Sequence, residues 1–235
     1  MAYQAADSSF YAIANDSNGS AELISFSLSS PPFATEVASL AAGDLWRGGL
    51  ALGSGGLFYA IGTDADTYIP WFFSINPKTG VTTSLFALGD GSLGYNGGLT
   101  YDPADGFFYA LASGESESAL QKIGLGGSVT TAQLLGLSGY QGGVAYDAAS
   151  GNFFAVRTDA DSYAYLEQIA PGNATPVSEV YGFWVYNNWG FWNSSLAFAS
   201  DGGQTGETPE PVTSGMGGLA LACFCGIALK RRHKA

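Results

Sequence analysis

The residues best suited to chemistry in this sequence are carboxylates and aromatics, because thiols and imidazoles are missing from most of it. Both cysteines, Cys223 and Cys225, and the single histidine, His233, fall close to the C-terminus. The first 200 residues therefore lack a thiol for a disulfide or nucleophile, and an imidazole for a triad, a general base or an ordinary zinc site. Carboxylate chemistry and oxygen-ligand metals survive that test. Thr63-Asp64-Ala65-Asp66-Thr67-Tyr68 and Thr158-Asp159-Ala160-Asp161-Ser162-Tyr163 are near copies of one another. Their alternating aspartates offer hard oxygen ligands to Ca²⁺, which takes about six to eight of them. Neither segment continues into the glycine and distal glutamate of an EF-hand, and turn aspartates commonly accept hydrogen bonds from their own backbone. Asp64, Asp66, Asp159 and Asp161 thus stand as calcium ligands or as turn formers, and Glu115 and Glu117 mark the same connection in another unit.

The aromatic candidates concentrate in Tyr181-Gly182-Phe183-Trp184-Val185-Tyr186-Asn187-Asn188-Trp189-Gly190-Phe191-Trp192. The faces of Trp184, Trp189 and Trp192 could stack on sugar rings while the asparagines bond hydroxyls, which would make a glycan platform. Core packing is the competing reading, since strand alternation buries about half of such rings; Trp46 and Trp71 suit the same packing. Glycoside cleavage needs only a spaced Asp/Glu pair, but nothing in the sequence singles out two partners.

These residues are positioned by a repeat. Gly97-Gly98-Leu99-Thr100-Tyr101-Asp102-Pro103-Ala104-Asp105-Gly106-Phe107-Phe108-Tyr109-Ala110-Leu111 reads as a strand, a turn and a second, aromatic strand. Related hairpins start at Gly48-Gly49 and Gly142-Gly143, and a worn copy opens the chain at Met1-Ala2-Tyr3 with Phe10-Tyr11-Ala12-Ile13. Each unit continues with a third strand (22–28, 71–75, 119–125, 165–170) and a fourth (35–40, 81–88, 129–137, 175–181). The glycine pairs are 49 and 45 residues apart, and Ser194-Ser195-Leu196-Ala197-Phe198 follows 52 after the last.

Four strands at this period predict an all-β chain folded as a β-propeller, whose twisted sheets bury their faces only against neighbours around a ring. Four near-complete units plus one closing strand predict four blades, and residues upstream of Met1 would make five; a β-sandwich or irregular solenoid is the alternative. Phe58-Tyr59-Ala60-Ile61 and Phe73-Ser74-Ile75-Asn76-Pro77-Lys78-Thr79-Gly80 resemble the blades of secreted bacterial β-propellers, a likeness that spans residues 1–200 and implies an architecture without an activity.

Beyond residue 200 the pattern changes. Residues 201–211 read as a polar linker. Val212 to Leu229 is an uncharged run, about 27 Å long as a helix and near the lower limit for crossing a bilayer, and the basic residues 230–235 after it should stay cytoplasmic. The order Pro209-Glu210-Pro211, apolar span, basic cluster resembles the PEP-CTERM sorting signal. That resemblance implies exosortase as a partner, cleavage near Pro209, Glu210 and Pro211, and release from the inner membrane of a Gram-negative bacterium to its surface or extracellular polysaccharide matrix. A permanent single-span anchor is the alternative. Sorting of this kind requires a signal peptide, so the start is expected to be truncated. Residues 1–208 hold nineteen Asp or Glu against four Lys or Arg, a balance that repels phosphate backbones and argues against nucleic acid. The expected function is an exported, non-enzymatic propeller; the alternative is a carbohydrate-binding or carbohydrate-active one.

Overall fold

A computed structural model of the chain describes residues 1–184, apart from the connections at 5–7, 16–20, 28–33, 41–43, 96–97, 115–116, 137–139, 141–142, 159–162 and 173–176. These residues form a four-bladed β-propeller of antiparallel four-stranded sheets, with no helix among them. Blade 1 holds β1 (Ala2–Gln4), β2 (Ser9–Asn15), β3 (Ala21–Ser27) and β4 (Ala34–Ser39); blade 2 holds β5 (Asp44–Leu52), β6 (Phe58–Asp64), β7 (Pro70–Ile75) and β8 (Thr82–Ala87). Blade 3 holds β9 (Leu99–Asp102), β10 (Phe107–Ser113), β11 (Ser118–Ile123) and β12 (Val129–Leu134). Blade 4 holds β13 (Val144–Asp147), β14 (Asn152–Thr158), β15 (Tyr163–Ile169) and β16 (Val177–Trp184). Every sheet runs in simple sequential order, as short hairpin connections require. The repeat read from the sequence is therefore the blade. Some boundaries move: β11 and β12 stop at Ile123 and Leu134, and β16 runs on to Trp184, so Tyr181 to Trp184 belong to the outer strand of blade 4. Blade 1 supplies its own innermost strand, β1, while the closing strand expected at 196–198 lies outside the described residues.

One turn chemistry serves several hairpins. Asp102, Asp147 and Asn76 each accept a side-chain bond from the backbone N–H two residues on, at 2.8, 3.1 and 2.9 Å. Each also accepts, on its carbonyl, the N–H of a glycine four residues on. Those glycines have φ of +77° (Gly106), +71° (Gly151) and +67° (Gly80), a region open to glycine at no steric cost.

The glycine pairs have a different job. The first strands of successive blades pack side by side, and a Cβ on Gly49 would lie 2.5 Å from the backbone nitrogen of Leu99 and 2.8 Å from Cα of Gly98. A Cβ on Gly98 would in turn run into the nitrogen of Val144 and lie 2.8 Å from Cα of Gly143. Backbone thus meets backbone from blade to blade, which only glycine permits.

Outside that contact three apolar clusters among the described residues join blade 1 to 2, 2 to 3 and 3 to 4. An aromatic step recurs in all three: Tyr11 on Phe58, Tyr59 on Phe108 and Tyr109 on Phe153, with centroids 4.7, 4.6 and 4.6 Å apart. The receiving phenylalanines are buried. Each contributes about 1.5–3 kcal/mol of burial, and the tilted ring pairs add to it. A second recurrence lies in the outer strands, where the ladder slips by one residue at the same place in every blade, between Leu23/Ile24, Phe72/Phe73, Leu120/Gln121 and Leu166/Glu167. The extra residues are Val37, Leu85, Ala132 and Val180, each a β-bulge.

Candidate functional site

Antiparallel order places the β6–β7 turn, its equivalents in the other blades and the connections between blades at one end of the propeller. Three residues before the second glycine of each pair stands an aromatic, Trp46, Tyr95 or Tyr140, and each is buried between two blades. Trp46 packs on Phe73 at 4.8 Å, and its Nε1 is a buried donor without an acceptor among the described residues. The Tyr95 hydroxyl donates to the carbonyl of Leu88 at 3.5 Å, and burial pushes its pKa up to about 12.

At the third junction this position carries charge. The Tyr140 hydroxyl donates to Oε2 of Glu167, and Arg157 Nε donates to Oε1 at 2.7 Å. Glu167 is only 2% exposed. The Arg157 guanidinium also lies over the Tyr165 ring, 4.3 Å from its centroid, and Ser113 Oγ donates to the carbonyl of Tyr140 at 3.2 Å. Burial, then the bond to Glu167 and its charge, push the Tyr140 pKa far up. Glu167 projects inward because β15 alternates: it shares a face with Ile169, opposite Ala155 and Phe153 of β14. Chemically the array is a clamp. Both carboxylate oxygens are engaged and the hydroxyl is held as a donor, so neither a free base nor a nucleophile is presented.

The predicted aspartates sit differently. Asp64 and Asp66 share the β6–β7 turn, where Asp64 Oδ1 accepts from the N–H of Thr67 at 2.7 Å, the Thr67 hydroxyl at 2.8 Å and the N–H of Asp66 at 3.1 Å. The Thr67 backbone and side-chain bonds hold the Asp64 carboxyl below its usual range. Asp66 is exposed, and Asp159 and Asp161 lie outside the described residues. Among the described residues no three His, Cys, Asp or Glu gather where they could hold a metal ion. With three donors already on Oδ1, millimolar Ca²⁺ is expected to leave the melting temperature unchanged, while Asp64→Asn lowers it with or without calcium. A calcium-dependent rise that disappears in Asp64→Asn would overturn this, because binding to the folded state alone must stabilise it.

At the opposite end Asp105 gathers the Tyr109 hydroxyl at 2.7 Å, Lys122 Nζ at 2.9 Å and the N–H of Phe107 at 3.0 Å. Desolvation pushes the Asp105 carboxyl up, but these bonds and the Lys122 charge outweigh it and leave its pKa lowered. Of the predicted aromatic platform, Trp184 ends β16 opposite Tyr163; Trp189 and Trp192 lie outside the described residues, as do Pro209, Glu210, Pro211 and the apolar run 212–229. No described helix is long and apolar enough to cross a membrane. The sequence reading missed Tyr140, Arg157 and Glu167.

The sequence matches no protein-family model and no curated protein. Solved structures match its fold. A structural-genomics protein of unknown function from Bacteroides thetaiotaomicron aligns over 84% of this chain and 53% of its own, with TM-score 0.57 and 19% identity. A chain of the nidogen/laminin complex aligns over 74% and 62%, at 0.53 and 14%. An engineered GH43 glycoside hydrolase with endo-xylanase and exo-arabinofuranosidase activity aligns over 92% and 43%, at 0.50 and 14%. The chain thus spans less than two thirds of each, and at these identities the likeness is one of fold.

Proposed function

We propose that this chain is an exported, non-enzymatic β-propeller whose C-terminal signal is handled by exosortase. It is held in the inner membrane by residues 212–229 until processing, then displayed at the cell surface or in the extracellular polysaccharide matrix of a Gram-negative bacterium. The observation that carries export is the adjacency of Pro209-Glu210-Pro211, an uncharged apolar span and a basic cluster at one end of an acidic chain. What supports a non-enzymatic role is that carboxylates have structural partners: Asp64, Asp102 and Asp147 hold turns, Asp105 holds Lys122 and Tyr109, and Glu167 is clamped. A carbohydrate-active propeller is the second reading, favoured by the fold shared with the GH43 enzyme. A glycosidase panel discriminates: hydrolysis abolished by replacing one carboxylate establishes the second reading.

Mass spectrometry of the C-terminus tests the first. In a host with exosortase the intact chain is expected to lose its tail and leave the inner membrane, whereas altering Pro209, Glu210 and Pro211 leaves a longer, membrane-held species. Full mass and membrane retention in both strains would mean a plain anchor.

A further inference from the structure

We infer that Tyr68 is a ligand-contacting residue, the stacking face of a site for a neutral polysaccharide at the end of blade 2. The site goes beyond the export reading and fails or stands separately from it. Tyr68 has φ +59°, the left-handed region that side chains disfavour, and the residue is 68% exposed, more than any other large apolar residue described. Neither the conformation nor the ring serves the core. The strain is nonetheless held rigidly. The Tyr68 N–H donates to the Asp64 carbonyl at 2.9 Å, Asp64 N–H donates to the Ile69 carbonyl at 3.0 Å, and Asp64 Oδ1 ties down Thr67. The next loop braces it from the side, so closely that a Cβ on Gly91 would lie 3.2 Å from the Tyr68 carbonyl oxygen. An over-determined strained residue presenting its side chain to solvent is a mark of recognition rather than packing.

The surroundings select the ligand. Asp66 and Asp90 are exposed on the two loops, Asp90 kept ionised below its usual range chiefly by the Ser92 side chain and N–H. Neither 64–69 nor 88–95 contains Lys or Arg. An aromatic face flanked by acceptors and without cations fits a hydroxyl-bearing sugar ring, whose C–H face stacks while its hydroxyls donate. Anionic polymers are repelled by a chain of net charge −12. An extended peptide would need unpaired strand edges, whereas β6 and β7 are paired on both sides.

Affinity electrophoresis of the full chain in mild detergent, through gels containing dextran, starch, xylan, β-1,3-glucan or galactomannan, with alginate as the anionic control, tests the site. At least one neutral polymer is expected to retard the protein. Tyr68→Phe should keep that affinity within about threefold, and Tyr68→Gly should weaken it about tenfold or more, the loss of one stacked ring. Tyr68→Gly should also melt no lower than the parent, since glycine relieves the positive φ. Retardation by no neutral polymer, retardation by alginate alone, equal retardation of Tyr68→Gly, or a lowered melting temperature in that variant would each overturn the inference.

Discussion

Replacing Gly98 with alanine is expected to cost about 3 kcal/mol or more, the upper end of what overpacking does. The methyl group would strike the nitrogen of Val144 and the backbone of Gly143 in the next blade. No rotamer change relieves a clash between two main chains, so the junction of blades 3 and 4 must part. For a domain of this size that corresponds to a fall in melting temperature of about 6–12 °C. Gly55→Ala is the control: Gly55 has φ +87° and nothing within 4 Å of an added Cβ, so it carries backbone strain without collision and should cost about 1 kcal/mol. Thermal melts followed by circular dichroism decide, and a Gly98→Ala protein melting within 2 °C of the parent (under about 1 kcal/mol) would mean that the inner strands do not pack as described.

The second large effect belongs to the clamp. Arg157→Ala should destabilise by about 3–5 kcal/mol, because it leaves the carboxylate of a residue only 2% exposed with Tyr140 as its remaining partner. The double substitution Arg157→Met with Glu167→Leu should recover much of that loss, since apolar groups of similar volume often replace a buried ion pair at little cost. Tyr140→Phe removes one bond and is expected to fall near 1–3 kcal/mol. Denaturant unfolding of the four proteins checks the order; an Arg157→Ala cost below about 1 kcal/mol, the worth of a surface pair, would make the clamp incidental.

Much of the architecture was legible because a propeller writes each blade in the same letters. The glycine pairs, the Asx-to-glycine turns and the alternating aromatic strands located all four blades, the worn first copy included. Their physical reason was not legible, since Gly49 and Gly98, or Gly98 and Gly143, meet across a whole repeat. Glu167 was passed over because acids in strands are expected to face solvent. The usable signal was Arg157, one of only four cations in the first 208 residues, on the strand beside it. The aromatic three residues before the second glycine was equally readable, and Trp192 keeps that spacing before Ser195, although both lie outside the described residues. The outer-strand bulges left no mark in the sequence, because Val37, Leu85, Ala132 and Val180 are ordinary strand residues whose displacement shows only in the register.

Those four bulges bear on how the outer edges of the blades resist pairing with another chain. A propeller turns the backbone of its fourth strands outward, and β8 (Thr-Thr-Ser-Leu-Phe-Ala) and β12 (Val-Thr-Thr-Ala-Gln-Leu) carry no charge to deter a second chain. Flat edges of that composition template sheet-to-sheet polymerisation. The extra residue near the middle of each strand breaks the run of evenly spaced donors and acceptors, so an incoming strand finds its register lost within about three residues, too few for a stable added strand. Interruptions at the same place in all four outer strands therefore disfavour edge-to-edge addition, including at β8 and β12, where no charge does so.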